Sequence, residues 1–259
     1  MLYSFFKEIY LYREYLRQSI LRDLRNRYRR SLLGYFWSML HPLGIMLILT
    51  LVFSNIMRME GKDYAVFLLS GMIVWNCFNH TIQSSLGILR ANQQLFNQIN
   101  IPKYIFIISV IGSSTVNLIL SIVPLVIISV FFQGKINSTI LLFPIALIPL
   151  LMITTGISLF VSTLGVFFHD TNHLTEIGMQ ALYFLTPVLY KREMLPVALQ
   201  KFLPLNPLVY VVEIFRDIFY YGTLPNLAIY FASFLFGLCL LFFGIYVFTK
   251  SQDKFLYFL

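Results

Sequence analysis

The 34 residues from Ile136 to His169, INSTILLFPIALIPLLMITTGISLFVSTLGVFFH, contain no Asp, Glu, Lys or Arg. A helix needs about 20 apolar residues to cross the hydrocarbon of a bilayer, and a charge near the bilayer centre costs roughly 2.5–3.5 kcal/mol on insertion scales. This run therefore reads as a membrane span. Similar charge-free intervals extend from Ser31 to Met57, Tyr64 to Leu89, Tyr104 to Gly134, Ile177 to Tyr190 and Ile218 to Thr249. The last reaches spanning length once its polar start is trimmed to about Asn226. The interval from Tyr64 only just qualifies, because Asn76, Asn79, His80, Gln83 and Ser84 gather on one side of a helix. In lipid that side must face protein or water. The interval Ile177 to Tyr190 has 14 residues and spans only by borrowing from Leu174 or Thr175. The apolar pieces Leu195 to Val212 and Ile218 to Gly222 are too short to cross and read as re-entrant segments.

Composition supports this class. Of 259 residues 58% are hydrophobic and 12% charged, where a soluble domain carries roughly 25% charged residues. A soluble enzyme is excluded by that shortage. The 26 Phe, 16 Tyr and 2 Trp suit a chain bathed in lipid with aromatics at its interfaces. Cys77 and Cys239 lie in apolar runs without a CxxC pattern, which assigns them to packing.

The net charge of +8 is concentrated at one end, with eight basic and three acidic residues in positions 1–30. No signal peptide fits this start, so the segment is expected to remain in the mature protein. Ile9, Tyr12, Leu16, Ile20, Leu24 and Tyr28 recur at steps of three and four, predicting a helix with one apolar stripe along the membrane surface. A solvated basic helix that only orients the chain is the alternative. Six spans place both ends on one side, and with the N-terminus inside, twelve Lys and Arg face the cytoplasm against seven outside. The expected fold is an all-α integral membrane protein of six transmembrane helices. A cytoplasmic amphipathic interface helix occupies residues 1–32, the six-span domain occupies 33–259, and external re-entrant helices lie between spans five and six.

No GxxxxGKS/T phosphate loop, HExxH, GxSxG or CxxC occurs. His169, Asp170, His173 and Glu176 come nearest to a metal cluster, with capping or partner contacts as the plainer reading. Acidic residues are scattered singly, which argues against a polyprenyl-phosphate enzyme that holds Mg²⁺. A channel, a scaffold or a transporter subunit driven by another protein remains.

The stretch Arg22 to Leu43, RDLRNRYRRSLLGYFWSMLHPL, leads from a basic helix through Gly34, Tyr35, Phe36 and Trp37 to His41 and Pro42. It resembles the start of the first span in permeases of the ABC-2 polysaccharide exporter family, which serve O-antigen, capsule and teichoic acid export. Further likenesses follow in order along essentially the whole chain. They are Asn92 to Phe96 with Ile101-Pro102-Lys103, Leu164 to Asp170, Leu185 to Tyr190, Asn206-Pro207 and Glu213 to Asp217. Asn97 and Gln98 stand where the family often has basic residues, and His169 where Arg is usual.

The resemblance implies a homodimer, each subunit docked on a separate cytoplasmic ATPase that carries the ATP and Mg²⁺, with no cofactor or metal in this chain and no nucleic acid partner. The cargo it implies is a polysaccharide on undecaprenyl diphosphate crossing the inner membrane, with membrane lipids as the other contact. Arg13, Arg17, Asn92, Leu95, Phe96, Pro102 and Lys103 are the candidates for coupling to the ATPase, Asn92 as the N-cap of a short coupling helix. Arg25, Arg27, Arg29 and Arg30 are the candidates for carrier diphosphate or lipid headgroups, because guanidinium groups grip phosphate in bidentate fashion. Tyr35, Phe36 and Trp37 in the first span and Tyr183, Phe184 and Tyr190 in the fifth are the candidate sugar-channel aromatics, against the plainer reading of interface aromatics. His41-Pro42, Pro144, Pro149 and Pro187 are candidate kinks, and Glu213 is placed to pair with Arg216 at i, i+3.

Overall fold

The computed structural model describes residues 2–28, 33–57, 59–98, 101–133 and 138–258. Arg29 and Arg30 lie outside them. Among the described residues every regular element is helical. The first two helices are α1 (Leu2–Leu11) and α2 (Arg13–Tyr28), followed by α3 (Phe36–Phe53), α4 (Gly61–Ala91), the short α5 (Gln93–Gln98) and α6 (Tyr104–Gln133). Then come α7 (Phe143–Phe167), α8 (Thr171–Leu185), the single turn α9 (Val197–Gln200), α10 (Pro207–Arg216) continued by a π turn Asp217–Tyr221, α11 (Leu227–Ser251) and α12 (Phe255–Phe258). Among the described residues five segments are long and apolar enough to cross a membrane, beginning at Phe36, Gly61, Tyr104, Ser138 and Leu227.

The sixth crossing follows from direction. Phe167 at the end of α7 meets Phe255 just past α11, while Tyr230 near the start of α11 reaches the carbonyl of Ile145 near the start of α7. The two helices therefore run parallel, and the chain must return between them. Helix α8 makes that return with 15 residues, about 22 Å of helix. It begins at Thr171, three residues earlier than the nearest position considered from sequence, which supplies part of the missing length. Thr171 donates to the Leu164 carbonyl at the end of α7, and the carbonyl of Leu189, beyond α8, accepts from Tyr64 at the start of α4. The re-entrant expectation is met by Val197–Leu205 and Pro207–Tyr221, two apolar pieces bent by 94° at Asn206. Asn206 makes this bend: its side chain caps the Leu208 amide and donates to Thr186 Oγ1, while Pro207 starts the next helix without needing a donor.

Helix α4 is the centre of the bundle. In its most apolar 18-residue window 83% of residues are buried, against 11% for α3. Helices α3, α6, α7, α8 and α10 all pack on it. The prolines divide by role. Pro144 sits in the first turn of α7, where a missing N–H costs nothing, and Pro187 lies past the end of α8. Pro42, Pro124 and Pro149 lie inside helices that continue through them.

The predicted N-terminal stripe exists with a different cover. Leu16 and Leu24 are buried, and Ile20 lies where a side chain on Gly112 of α6 would be. The stripe packs on protein because α2 lies against α6. The single helix expected here is two, with only Tyr12 between them.

Between α7 and α11, Gly156 and Gly244 let the backbones touch: a Cβ on Gly244 would fall on the Gly156 carbonyl. Backbone there cannot yield as a flexible side chain can. Gly244→Ala should therefore cost about 1–3 kcal/mol, read as a lower melting temperature of the detergent-purified protein. An unchanged melting temperature would contradict the close contact.

Candidate functional site

The polar face of α4 opens into a cavity of about 670 Å³ between α3, α4 and α6. Helix α4 contributes Asn76, Asn79, His80 and Gln83, one turn after another on one side. Helix α6 contributes Ser114, Asn117 and Ser121, and α3 contributes Trp37, Ser38 and His41. Arg27 of α2 closes one end. The carboxamides of Asn76, Asn79 and Gln83 make no hydrogen bond among the described residues. Among the described residues the lining holds no carboxylate; its amide, hydroxyl and imidazole groups are set among apolar side chains such as Ile73 and Leu118, and it carries one exposed indole.

Around His80 the hydrogen bonds fix a tautomer. The Arg27 guanidinium meets Nε2, and arginine only donates, so Nε2 accepts and Nδ1 carries the proton given to Ser114 Oγ at 3.0 Å. Across the cavity Ser121 Oγ donates to the Asn117 carbonyl at 2.8 Å and the Ser38 carbonyl at 3.3 Å, tying α3 to α6. A second polar cavity of about 210 Å³ shares Arg27, His80 and Asn117 with the first and lies between α2, α4 and α6.

The predicted channel aromatics do not converge. Trp37 lines the large cavity, while Tyr35 and Phe36 are exposed at the start of α3. Tyr183 lies tilted against Trp75 at 5.0 Å and touches Phe184 at 5.7 Å. Neither Trp75 nor Tyr183 is among the residues that line the large cavity, so Trp37 and Tyr183 belong to separate aromatic groups. The Tyr190 hydroxyl donates to the Phe184 carbonyl.

Of the candidate cationic residues, Arg27 reaches the cavity and Arg25 is exposed. Arg13 donates to the Tyr10 carbonyl at 3.0 Å and lies over its ring, and exposed Arg17 stands 3.9 Å from Glu14. The short helix expected after the second span is α5. Asn92 does not cap it from the N-terminal side: its amide donates back to the Ile88 carbonyl at 2.8 Å and finishes α4. The same carbonyl accepts from the Asn92 backbone amide at 3.2 Å, so both donors of Asn92 close the last turn of α4. Leu95 is half-buried, and the Phe96 side chain lies outside the described residues. Pro102 precedes Lys103, whose ammonium turns inward to the Gln252 carbonyl at 2.7 Å. Burial lowers the Lys103 pKa from its ordinary value, with the Asp253 charge opposing the shift. Near the end of α7, Arg90 donates to the Val166 carbonyl and meets His169 Nδ1 at 3.4 Å. No group of three His, Cys, Asp or Glu able to hold a metal occurs among the described residues.

Sequence reasoning misplaced Arg216. Glu213 pairs instead with Arg192 at 3.9 Å. Arg216 is buried, stacked 3.6 Å over Phe67, and donates to the carbonyls of Pro187 at 2.5 Å and Val188 at 3.0 Å. The chain leaves helix α8 there, and its freed carbonyls take the charge that Glu213 was expected to meet. The i, i+3 rule sees only one helix and cannot register a partner 28 or 29 residues away.

A family model described as ABC-2 type transporter matches residues 14–220. The chain belongs to the ABC-2 type transporter family. An O-antigen export system permease protein RfbA of Klebsiella pneumoniae is 30% identical over 236 residues, 90% of each chain. A protein of the same description from Myxococcus xanthus is 27% identical over 222 residues, 85% of each. A polysialic acid transport protein KpsM of Escherichia coli is 29% identical over 201 residues, 76% of this chain and 78% of its own. The ABC-2 match runs from α2 to the π turn, so it takes in the large cavity, the bent pair and Arg216.

Removing the Arg216 guanidinium leaves two carbonyls without their donor, a loss of about 1–3 kcal/mol. Arg216→Met should lower the melting temperature of the purified protein by several degrees. Unchanged melting would mean that this contact does not hold the hairpin.

Proposed function

We propose that this chain is the transmembrane permease subunit of an ABC exporter. It moves an undecaprenyl-diphosphate-linked polysaccharide, an O-antigen, across the cytoplasmic membrane as a homodimer powered by a separate ATPase subunit. The observation that carries this reading is the large cavity. A lipid-embedded bundle that leaves three carboxamides open to a cavity of mixed polar and apolar lining suits a hydrated, polyhydroxylated chain, which amides and hydroxyls hold weakly. Trp37 adds a flat ring against sugar C–H faces. The relatives' names point the same way, and the O-antigen proteins of Klebsiella pneumoniae match more of the chain than the polysialic acid transporters do. The KpsM likeness favours a second reading, export of a capsular polymer.

The remaining parts take roles within this scheme. The chain has no phosphate loop, so its energy must come from the partner. Helix α5 is the element that docks on the ATPase. Residues 1–32 form a cytoplasmic interface segment whose Arg13 and Arg17 meet the ATPase or anionic headgroups, while Arg25, Arg27, Arg29 and Arg30 serve the carrier diphosphate. Both termini lie in the cytoplasm, in agreement with the excess of basic residues there.

Two outcomes test this. The chain should copurify with a Walker-type ATPase in mild detergent, and Phe96→Asp should abolish polymer export without reducing membrane insertion. Asn76→Leu combined with Asn117→Leu should cut export by about tenfold or more at unchanged abundance, measured as surface polysaccharide. Normal surface polymer with both cavity amides replaced would overturn the cavity's role.

A further inference from the structure

Three segments meet at the two residues that end the loop around α5. Lys103 donates to the Gln252 carbonyl at 2.7 Å and lies 5.6 Å over the ring of Phe255. Tyr104 donates its hydroxyl to Glu8 of α1, and its ring lies 4.7 Å from Phe5 and 6.3 Å from Phe248. Phe255 is wholly buried and packs on Phe248 at 5.2 Å and Phe167 at 5.8 Å. One aromatic cluster thus joins α1, the start of α6, the end of α7 and the segment after α11. The loop's other end is held as well, by Arg90 on the Val166 carbonyl and His169. Gln93 and Gln94 between these anchors are exposed.

A close-packed ring cluster has little free volume, so a displaced member must move its neighbours. Lys103 is the covalent continuation of the loop, and its charged end is spent on the tail's backbone instead of pointing outward to a partner. We infer that Lys103 and Tyr104 are positioning residues that carry a displacement of the loop 92–102 into helix α1 and the tail 252–258. This inference rests on the reading that α5 docks on the ATPase. Through α1, the push reaches α2 and Arg27 at the cavity, because α1 and α2 are interrupted only at Tyr12, where the Glu8 and Tyr12 carbonyls continue the helical bonds. The tail is the strut on the opposite side of the joint.

The test uses the full chain reconstituted with its copurifying ATPase and reads polymer exported per ATP hydrolysed. Lys103→Met and the conservative Phe255→Leu should keep abundance, copurification and hydrolysis near wild type while export per ATP falls about tenfold. Lys103→Arg, which keeps the donor, should restore it. A purely structural role would lower abundance and hydrolysis together and leave the ratio unchanged, which would overturn the inference. Export per ATP near wild type in both variants would also overturn it, as would loss of the ATPase on Lys103→Met, since Lys103 would then be a partner contact. If the unaltered chain binds no ATPase, or Phe96→Asp leaves export intact, the docking reading itself has failed. A measurement that leaves the aromatic joint intact complements these. Spin labels at Gln94→Cys and Tyr257→Cys, with the native cysteines replaced, should change separation when a non-hydrolysable ATP analogue binds, and a fixed separation contradicts the inference.

Discussion

Lipid offers no hydrogen bonds, and a helix that carries Asn76, Asn79, His80, Gln83 and Ser84 on one side cannot expose that side to it. Much of the architecture answers this constraint. Helix α4 is drawn to the centre, α3 and α6 stand off its polar side to leave a space for water or cargo, and α7, α8 and α10 cover its apolar side. The same rule governs the broken end of α8, where a buried guanidinium satisfies carbonyls that would otherwise face hydrocarbon. Polar groups inside the bundle are thus of two kinds. Those at Arg216, Thr186 and Asn206 are spent on holding the hairpin, and in the cavity the carboxamides of Asn76, Asn79 and Gln83 make no hydrogen bond among the described residues.

That division suits a transporter. A rigid outer hairpin and a glycine-contact pair of α7 and α11 provide fixed walls, while α2 and α3 are held to the cavity by few polar links. Ser121 reaches the Ser38 backbone, and Arg27 reaches His80. Helix α3, with only 11% of its window buried, presents a largely exposed apolar surface. Of the helices that adjoin the cavity, α3 is the most lightly packed, and α2 is joined through α1 to the loop proposed to meet the ATPase.

Much of this was legible from residues alone. Charge-free intervals located the long spans because the cost of a buried charge is large and independent of tertiary detail. The polar side of α4 was readable because helical periodicity places Asn76, Asn79, His80 and Gln83 together whatever surrounds them. Partners across the bundle were not. Glu213 lies at the right spacing for Arg216, yet a bend of 94° brings Arg192 and two carbonyls closer. Asn92 has the chemistry of an N-cap and is used at the other helix end. Residue type singles out the candidate channel aromatics but does not reveal that Trp37 lines the cavity while Tyr183 meets Trp75 outside it. The contributions of Ser114, Asn117 and Ser121 to the cavity were hidden in a strongly apolar helix, where a serine is as often a backbone-bonded packing residue.

The central claim is that the space beside Asn76 is the path of a sugar polymer. The direct measurement places a photo-crosslinking amino acid at Asn76, and for comparison at exposed Leu51 of α3, in cells making the polymer. The account predicts polysaccharide covalently attached at position 76 and not at 51 when ATP hydrolysis is blocked with cargo engaged. Equal labelling at both positions, or none at 76 while export proceeds, would contradict it.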